Sequence, residues 1–340
     1  MIKKAFFLIL IIVACIFLMY LFQPVKKGKG IDTSTQYERV NNWPDLPHDL
    51  QLGNPTGIDI DTSQNVVVFH RANRKWPLLG AMPDKTIKSK TILIIDRNTG
   101  KLLNSWGDNL FIMPHGLTVD KENNIWVTDV GLHQVFKFNY KGQLLMKLGE
   151  AKVSGSDSVH FNKPTDIAIA RDGSFYVSDG YGNSRVIKFS STGKYLLQWG
   201  KKGNKESEFE IPHGICLNKE GNVFVADREN CRIQEFDSNG IFIKQYNDQS
   251  FGNICAVNYN NTQSKLYAVD DFSFLKVKHR GSDLIIFNTG GNIQTRFGRS
   301  GSYKGNTCWY HDLAVDNEEC IYTCDILGNT IQKFKKVQKH

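Results

Sequence analysis

Three histidines at equal intervals constrain this chain more than any other feature of its sequence. They are His115, His213 and His311, and each lies 98 residues after the one before. Each opens a similar phrase, and a related phrase built on Thr165 falls midway between the first two. The repeating unit is therefore about half that interval, and strand-rich repeats of about 40 to 50 residues are typical of β-propeller blades. A histidine in every second repeat predicts three imidazoles around the axis of a closed ring.

Each repeat has the same order of strands and turns. The clearest copy, residues 115–149, alternates apolar and polar residues over short strands separated by Asn, Asp and Gly, as antiparallel hairpins do. Six copies begin at Thr56, His115, Thr165, His213, Gly252 and His311. The longest insertions are residues 72–90 in the first copy and 272–281 in the fifth. The sequence therefore predicts an all-β fold, a six-bladed β-propeller.

The last copy, residues 311–334, contains only three strands. We predict that residues 38–43, ahead of the first blade, supply the fourth. Closing a ring with strands from both ends of the chain removes an exposed sheet edge.

Three neutral imidazoles with an open fourth position are the usual ligands of catalytic zinc. A single histidine at a strand start is more often structural, but packing does not explain three at equal spacing on alternate blades. Calcium prefers oxygen ligands, and Asp312 and the strand-start carbonyls could hold a second ion deeper in the channel. We therefore predict a shared metal bound by His115, His213 and His311.

The N-terminal segment predicts export. Lys3 and Lys4 precede an unbroken apolar run of 18 residues, 5–22, which fits an uncleaved signal anchor or a long signal peptide. Residues 1–30 are therefore assigned to this segment and its basic flank, and residues 31–340 to one propeller domain. The protein is expected in the secretory pathway, either secreted, in a vesicle lumen, or anchored as a single-pass type II membrane protein.

The net charge of +8 is spread over the surface and is densest near the termini. Its basic patches lack the interleaved aromatics of single-strand binders, so no nucleic-acid partner is expected. Besides Cys15, the chain has six cysteines, at positions 216, 231, 255, 308, 320 and 324. An even number in an oxidising compartment permits disulfides, although no pairing follows from the sequence. Asn260 begins an Asn-Asn-Thr sequon and is a candidate for glycosylation.

Several motifs together resemble a known family. They are Phe69-His70-Arg71 followed by Trp76, Met113-Pro114-His115-Gly116-Leu117, Val177-Ser178-Asp179-Gly180-Tyr181, Ala226-Asp227-Arg228-Glu229-Asn230 and His311-Asp312-Leu313. In this combination they look like peptidyl-α-hydroxyglycine α-amidating lyase, over residues 45–336. The broader relatives are NHL-repeat propellers, which share the blade pattern but need not share the chemistry.

The resemblance implies the second step of peptide amidation. A peptide ending in α-hydroxyglycine is cleaved at its N–Cα bond to give a peptide amide and glyoxylate. The three histidines would bind zinc, while the carbonyl oxygens of Ile58 and Leu117 and the carboxylate of Asp312 would hold a structural calcium. The hydroxylated peptide would come from a separate peptidylglycine monooxygenase, since 340 residues leave no room for that module, and the lyase would act as a monomer.

The resemblance also assigns roles in catalysis. Tyr181 would be the catalytic base, and Arg71 and Arg228 would bind and polarise the substrate. A tyrosine is a poor base near pH 7, and nearby cations would favour its phenolate. Each of the three residues taken alone is more often structural, with an arginine pairing to a blade carboxylate such as Asp227. The remaining histidines are predicted to be structural or at the surface, and they include His70, His133, His160 and His279.

The chain departs from the family pattern in two places. Trp309 and Tyr310 replace the usual Met-Pro before the last histidine, so Trp309 is expected to line the substrate site. The cysteines of two family disulfides are also replaced, by Asn162 and Gly182 in one pair and by Phe224 and Glu235 in the other.

Two rival classes remain open from the sequence. One is a non-catalytic NHL-repeat propeller that serves as an extracellular binding platform, which would not need histidines on alternate blades. The other is a calcium-dependent lactonase-like hydrolase, which would need carboxylates and asparagines at the channel mouth.

Overall fold

Six four-stranded antiparallel sheets form the ring that the repeats predict. A computed structural model describes residues 35–338, apart from position 51 and segments 78–80, 272, 275–277, 280 and 299–306. The predicted signal segment lies outside these residues. In the described part of the chain, no helix is long and apolar enough to cross a membrane.

Blades 1 to 3 each consist of four consecutive strands. Blade 1 contains β2 (Pro55–Ile60), β3 (Val66–His70), β4 (Ile92–Ile95) and β5 (Leu102–Trp106). Blade 2 contains β6 (Pro114–Val119), β7 (Ile125–Asp129), β8 (Gln134–Phe138) and β9 (Leu144–Leu148). Blade 3 contains β10 (Asp166–Ile169), β11 (Phe175–Asp179), β12 (Arg185–Phe189) and β13 (Tyr195–Trp199).

Blades 4 and 5 follow the same order, with small additions. Blade 4 contains β14 (Pro212–Leu217), β15 (Val223–Asp227), β16 (Arg232–Phe236) and β17 (Phe242–Asn247), with a 3₁₀ turn at Arg228–Asn230. Blade 5 contains β18 (Asn253–Asn260), β19 (Lys265–Asp271), β22 (Asp283–Phe287) and β23 (Ile293–Gly298). Its insertion carries a two-stranded hairpin, β20 (Ser273–Phe274) and β21 (Lys278–His279).

Blade 6 confirms closure by the N-terminal strand. Its own strands are β24 (Tyr310–Val315), β25 (Ile321–Asp325) and β26 (Thr330–Gln338), and β1 (Thr35–Arg39) pairs antiparallel with β26 on the outside. The closing strand begins and ends a few residues earlier than the predicted 38–43. The inner strands β24 and β2 then pack together and complete the ring.

Every interface between neighbouring blades holds one apolar cluster, so the core is a ring of six clusters. Strand β3 shows how the sequence builds it. Val66 and Val68 face blade 6, whereas Val67 and Phe69 face blade 2, because successive side chains in a strand point to opposite faces. A strand that is buried on both faces is largely apolar, and these second strands carry an apolar run ahead of a buried His or Asp.

Two modifications that the sequence permits, disulfides and a glycan on Asn260, find no support in the structure. No disulfide links the six cysteines of the described part of the chain. Asn260 is only 7% exposed, and its Nδ2 donates a hydrogen bond to the Asp316 carbonyl at 3.1 Å. The nitrogen that would carry a glycan is therefore buried and in use.

Candidate active site

Bulges at the start of the inner strands direct the three histidines into the channel. In blade 2 the pairing register shifts between Pro114 and Leu117, around His115, and β14 and β24 carry the same shift at His213 and His311. A bulge releases a residue from the ladder and redirects its side chain. The predicted trio is therefore brought together by three blades that make the same local departure from regular pairing.

The three imidazoles form a compact, buried group. Their ring centroids are 4.6 to 4.9 Å apart, and one nitrogen from each lies within 4.8 Å of the other two. Each Nδ1 lies 2.6 to 2.8 Å from a backbone carbonyl oxygen of a neighbouring blade. Since the carbonyl only accepts, Nδ1 carries the proton and Nε2 keeps its lone pair. This is the arrangement that orients metal-binding histidines, so the trio fits a metal ion.

Burial keeps these imidazoles neutral. It lowers the pKa of His115 and His213 well below the usual value, and that of His311 to about 3. Neighbouring histidines, Arg71 and Arg228 add to the effect because their charges repel a proton. A neutral imidazole is the form that binds a metal.

The hydroxyl of Tyr181 lies over the histidine group. It is 3.1 Å from Nε2 of His115 and 3.0 Å from Nε2 of His213. Burial raises the pKa of Tyr181, and the guanidiniums of Arg228 and Arg71 lower it without cancelling the rise. The expected preference for the phenolate therefore does not follow from the two arginines alone.

Arg71 and Trp76 form one wall of the site. Arg71 is 3% exposed, its Nε donates to the Pro114 carbonyl at 2.9 Å, and its guanidinium lies 5.3 Å from the centre of the Trp76 ring. Trp76 in turn packs on Tyr181, with ring centroids 4.9 Å apart. Burial lowers the pKa of Arg71 to about 10, so the guanidinium remains charged at neutral pH. Trp76 belongs to one of the motifs that carry the family resemblance, but no role was predicted for it from the sequence.

Arg228 faces Tyr181 from blade 4. Its only ion pair in the described part of the chain is with Glu229, from Nη1 to Oε1 at 3.3 Å. The expected partner, Asp227, instead binds Arg232 at 2.7 Å. The predicted substrate arginine is thus not held by the blade carboxylate beside it.

The fifth blade supplies Cys255 at the ring position, not Gly252 as the repeat alignment predicted. Its carbonyl accepts the hydrogen bond from Nδ1 of His213, and its thiol contacts the side chains of Arg228 and Trp309. Trp309 is half-buried, and its backbone N–H donates to Oδ1 of Asp325 at 2.9 Å. Trp309 therefore lies beside the arginine, where it can line the substrate site.

A layer of carboxylates lies deeper in the same channel. Asp312 shares a cavity of about 230 Å³ with Ile58 and Leu117, and Asp59 and Asp166 also line it. Burial raises the pKa of all three aspartates, and the other two carboxylates raise that of Asp312 further. Among the ion pairs of the described residues, none involves these three. Oxygen donors that repel one another without a counter-charge fit a hard cation such as calcium.

Part of this arrangement was not recognised from the sequence. Asp166 directly follows the ring position Thr165, as Asp312 follows His311, so the repeat carried a signal for it. Cys255 was missed because Ile254 precedes it, where a proline precedes the ring residue in blades 1 to 4.

Comparisons with known proteins agree with this geometry. The NHL repeat matches residues 111–138, 161–189 and 209–236. A probable peptidyl-α-hydroxyglycine α-amidating lyase of Caenorhabditis elegans is 42% identical over 228 residues, which is 64% of each chain. Peptidyl-glycine α-amidating monooxygenase B of Xenopus laevis is 36% identical over 333 residues, or 92% of this chain. The chain spans about a third of the length of that relative, 37%.

Solved structures share the fold. A virginiamycin B lyase of Staphylococcus aureus aligns with a TM-score of 0.55 at 16% identity, over 89% of this chain and 88% of the other. This likeness shows the propeller alone. The sequence matches, together with the motifs that converge on the channel, establish that the chain belongs to the family of peptidyl-α-hydroxyglycine α-amidating lyases, within the NHL-repeat propellers.

Proposed function

We propose that this protein cleaves peptides ending in α-hydroxyglycine at the N–Cα bond, giving a peptide amide and glyoxylate. The observation that carries the proposal is the position of the Tyr181 hydroxyl, about 3 Å from Nε2 of two of the three buried histidines. Named relatives at 39 to 42% identity support the same reaction class.

The reaction moves one proton and breaks one bond. The substrate hydroxyl loses its proton, the C–O bond becomes a carbonyl, and the electrons of the N–Cα bond leave with the amide nitrogen, which gains a proton. Tyr181 as phenolate would take the hydroxyl proton. A positioned general base contributes about 10² to 10⁴-fold to a rate.

The two arginines would hold the carboxylate of the hydroxyglycine. Arg71 Nη2 and Arg228 Nε are buried and have no hydrogen-bond partner among the described residues. A guanidinium matches a planar carboxylate with two parallel hydrogen bonds. Their charges would also stabilise the Tyr181 phenolate, which burial disfavours.

Zinc is the metal we propose for His115, His213 and His311. When bound, it would supply Lewis acidity that makes the substrate hydroxyl more acidic and favours the phenolate. Calcium is proposed for Asp312 and the carbonyls of Ile58 and Leu117, where it would neutralise the buried carboxylates and hold the inner strands together. Residues 31–340 would form the catalytic domain.

The cellular setting is also a proposal. The apolar segment 5–22 would export the propeller to the secretory pathway, as a secreted or membrane-anchored monomer. Its substrate would be supplied there by a peptidylglycine monooxygenase.

The experiment is a glyoxylate-release assay on a short peptide ending in α-hydroxyglycine, with the purified full-length chain. Activity should disappear after chelation and return with zinc. The matched control is His160→Ala, since His160 pairs with Asp157 away from the channel and should not matter. A zinc-loaded, folded protein that releases no glyoxylate would favour the non-catalytic binding platform.

A further inference from the structure

We infer that His133 is a positioning residue for Tyr181, acting through residues 162–163, which we call the tyrosine clamp. The inference rests on the proposed role of Tyr181 and extends it to a residue that the sequence assigned no function. Tyr181 lies in the loop between β11 and β12.

The tyrosine loop is attached to the clamp by its backbone. Tyr181 N–H donates to the Lys163 carbonyl at 3.4 Å, and Gly182 N–H donates to the Asn162 carbonyl at 2.9 Å. These two hydrogen bonds attach the backbone amides on either side of the Tyr181 Cα to one short segment. The position of the phenol therefore depends on where that segment lies.

The packing of the loop leaves little space for movement. A Cβ at Gly182 would lie 2.1 Å from Cγ of Asn162, and a Cβ at Gly180 would lie 2.0 Å from the Pro212 carbonyl oxygen. A side chain at Gly180 would meet the backbone of Pro212, and one at Gly182 would meet the side chain of Asn162. The loop is thus confined between the clamp on one side and the start of β14 on the other.

His133 holds the clamp from blade 2. Lys163 N–H donates to Nδ1 of His133 at 3.0 Å, so the imidazole accepts at Nδ1. On the other side, Asn162 N–H donates to Oδ1 of Asp179 at 2.9 Å. The clamp therefore has one support from the neighbouring blade and one from its own.

The two residues that make the first support both have unusual backbones. His133 has φ of 58° and Lys163 has φ of 62°, in the left-handed region that non-glycine residues seldom adopt. Such conformations are costly for residues other than glycine and persist where the surroundings require them.

The test measures steady-state kinetics and hydrogen exchange on the zinc-loaded full-length protein. His133→Ala should lower kcat about tenfold, since small misplacements of a catalytic group are costly, with KM and zinc content within about twofold. Amide exchange should accelerate in residues 180–184 and stay unchanged elsewhere. His133→Asn should recover most of kcat, because its Oδ1 can accept from Lys163 N–H.

A second variant separates positioning from folding. In the His133→Ala background, Asn162→Cys with Gly182→Cys should restore kcat when oxidised and lose it again under reductant. The control is His160→Ala, which should match wild type in every readout.

Two results would overturn the inference: wild-type kcat and exchange in His133→Ala, or a general rise in exchange with loss of zinc. Faster exchange confined to 180–184 with unchanged kcat would show that His133 holds the loop through the clamp, but it would remove Tyr181 from the proposed chemistry.

Discussion

Arginines in two regions of this propeller differ in what they contact. In the outer strands (second to fourth) of blades 3 to 5, each of three buried arginines binds a buried aspartate through Nε. The pairs are Arg185 with Asp179 at 3.0 Å, Arg232 with Asp227 at 2.7 Å, and Arg296 with Asp283 at 2.7 Å. At the channel, Arg71 and Arg228 have no such partner, and each keeps a buried donor without a hydrogen bond among the described residues.

The difference separates groups that stabilise the fold from groups that await a ligand. A buried donor without a partner costs about 1 to 3 kcal/mol, so native structures seldom keep one without a reason. The carboxylates show the same contrast, since those of the outer strands are paired with arginine and Asp312 deeper in the channel is not. Unsatisfied polar groups therefore mark the site more clearly than residue type does.

The largest effect is expected from Tyr181→Phe. The change removes one hydroxyl and keeps the ring against Trp76, so zinc content and unfolding temperature should hardly change. Glyoxylate release should fall by about 10² to 10⁴-fold. Near-wild-type turnover with full zinc would exclude this tyrosine as the base. The polar groups of the channel would then serve to bind substrate and metal only.

Replacing an arginine in each region tests the comparison itself. Arg71→Lys and Arg228→Lys keep the charge but lose the planar fork, and should lower kcat/KM about 10 to 100-fold with little change in stability, since hydrogen bonds to charged groups contribute about 1.5 to 3 kcal/mol. Arg296→Lys should instead lower the unfolding temperature with little change in kcat/KM, because it breaks the contact with Asp283. Thermal unfolding and steady-state kinetics on all three variants measure the effect on stability and on kcat/KM separately. Equal loss of stability in the three would end the distinction.

The carboxylates allow the corresponding test with calcium. The wild-type unfolding temperature should rise with calcium, with about 2.7 kcal/mol gained at 100 times the dissociation constant. Asp312→Asn should lose that response, yet it should be no less stable than wild type without calcium, because repulsion from Asp166 and Asp59 is removed.

The matched control is Asp283→Asn, which removes the carboxylate that pairs with Arg296 in blade 5. It should be destabilised with or without calcium. A calcium response that survives in Asp312→Asn would move the ion elsewhere.

The last effect concerns stability at low pH and needs no ligand. Burial lowers the pKa of His70 from 6.5 to about 4. The unfolded chain therefore binds a proton at a higher pH than the folded chain, so this contribution to stability is complete above pH 6.5 and is lost as pH falls towards 4. The loss amounts to about 3 kcal/mol. Denaturant unfolding of wild type and His70→Gln at pH 7 and pH 4.5 should show a flatter dependence in the variant, and equal slopes would contradict the assignment.

The ring could be predicted from the sequence because repeated patterns record repeated packing. Apolar runs such as Val66 to Phe69 in the second strands indicate burial on both faces, and a last copy with three strands indicates closure by the N-terminal end. The histidine trio was predictable for the same reason, since equal spacing in a ring places residues around one axis.

What could not be predicted depends on contacts between elements that the repeat does not relate. The stacking of Trp76 on Tyr181 joins an insertion of blade 1 to a loop of blade 3. The rise in the pKa of Tyr181 depends on burial, which no motif encodes. Cys255 lies three residues after the predicted Gly252, because blade 5 lacks the proline that marks the ring position in blades 1 to 4.

The most direct test of the central claim is the metal content of the purified protein. Elemental analysis should find one zinc per chain in wild type and in His160→Ala, and almost none in His213→Ala, with glyoxylate release lost in the same variant. Wild-type protein without a transition metal, or His213→Ala with as much zinc as wild type, would contradict the claim that the three equally spaced histidines build this active site.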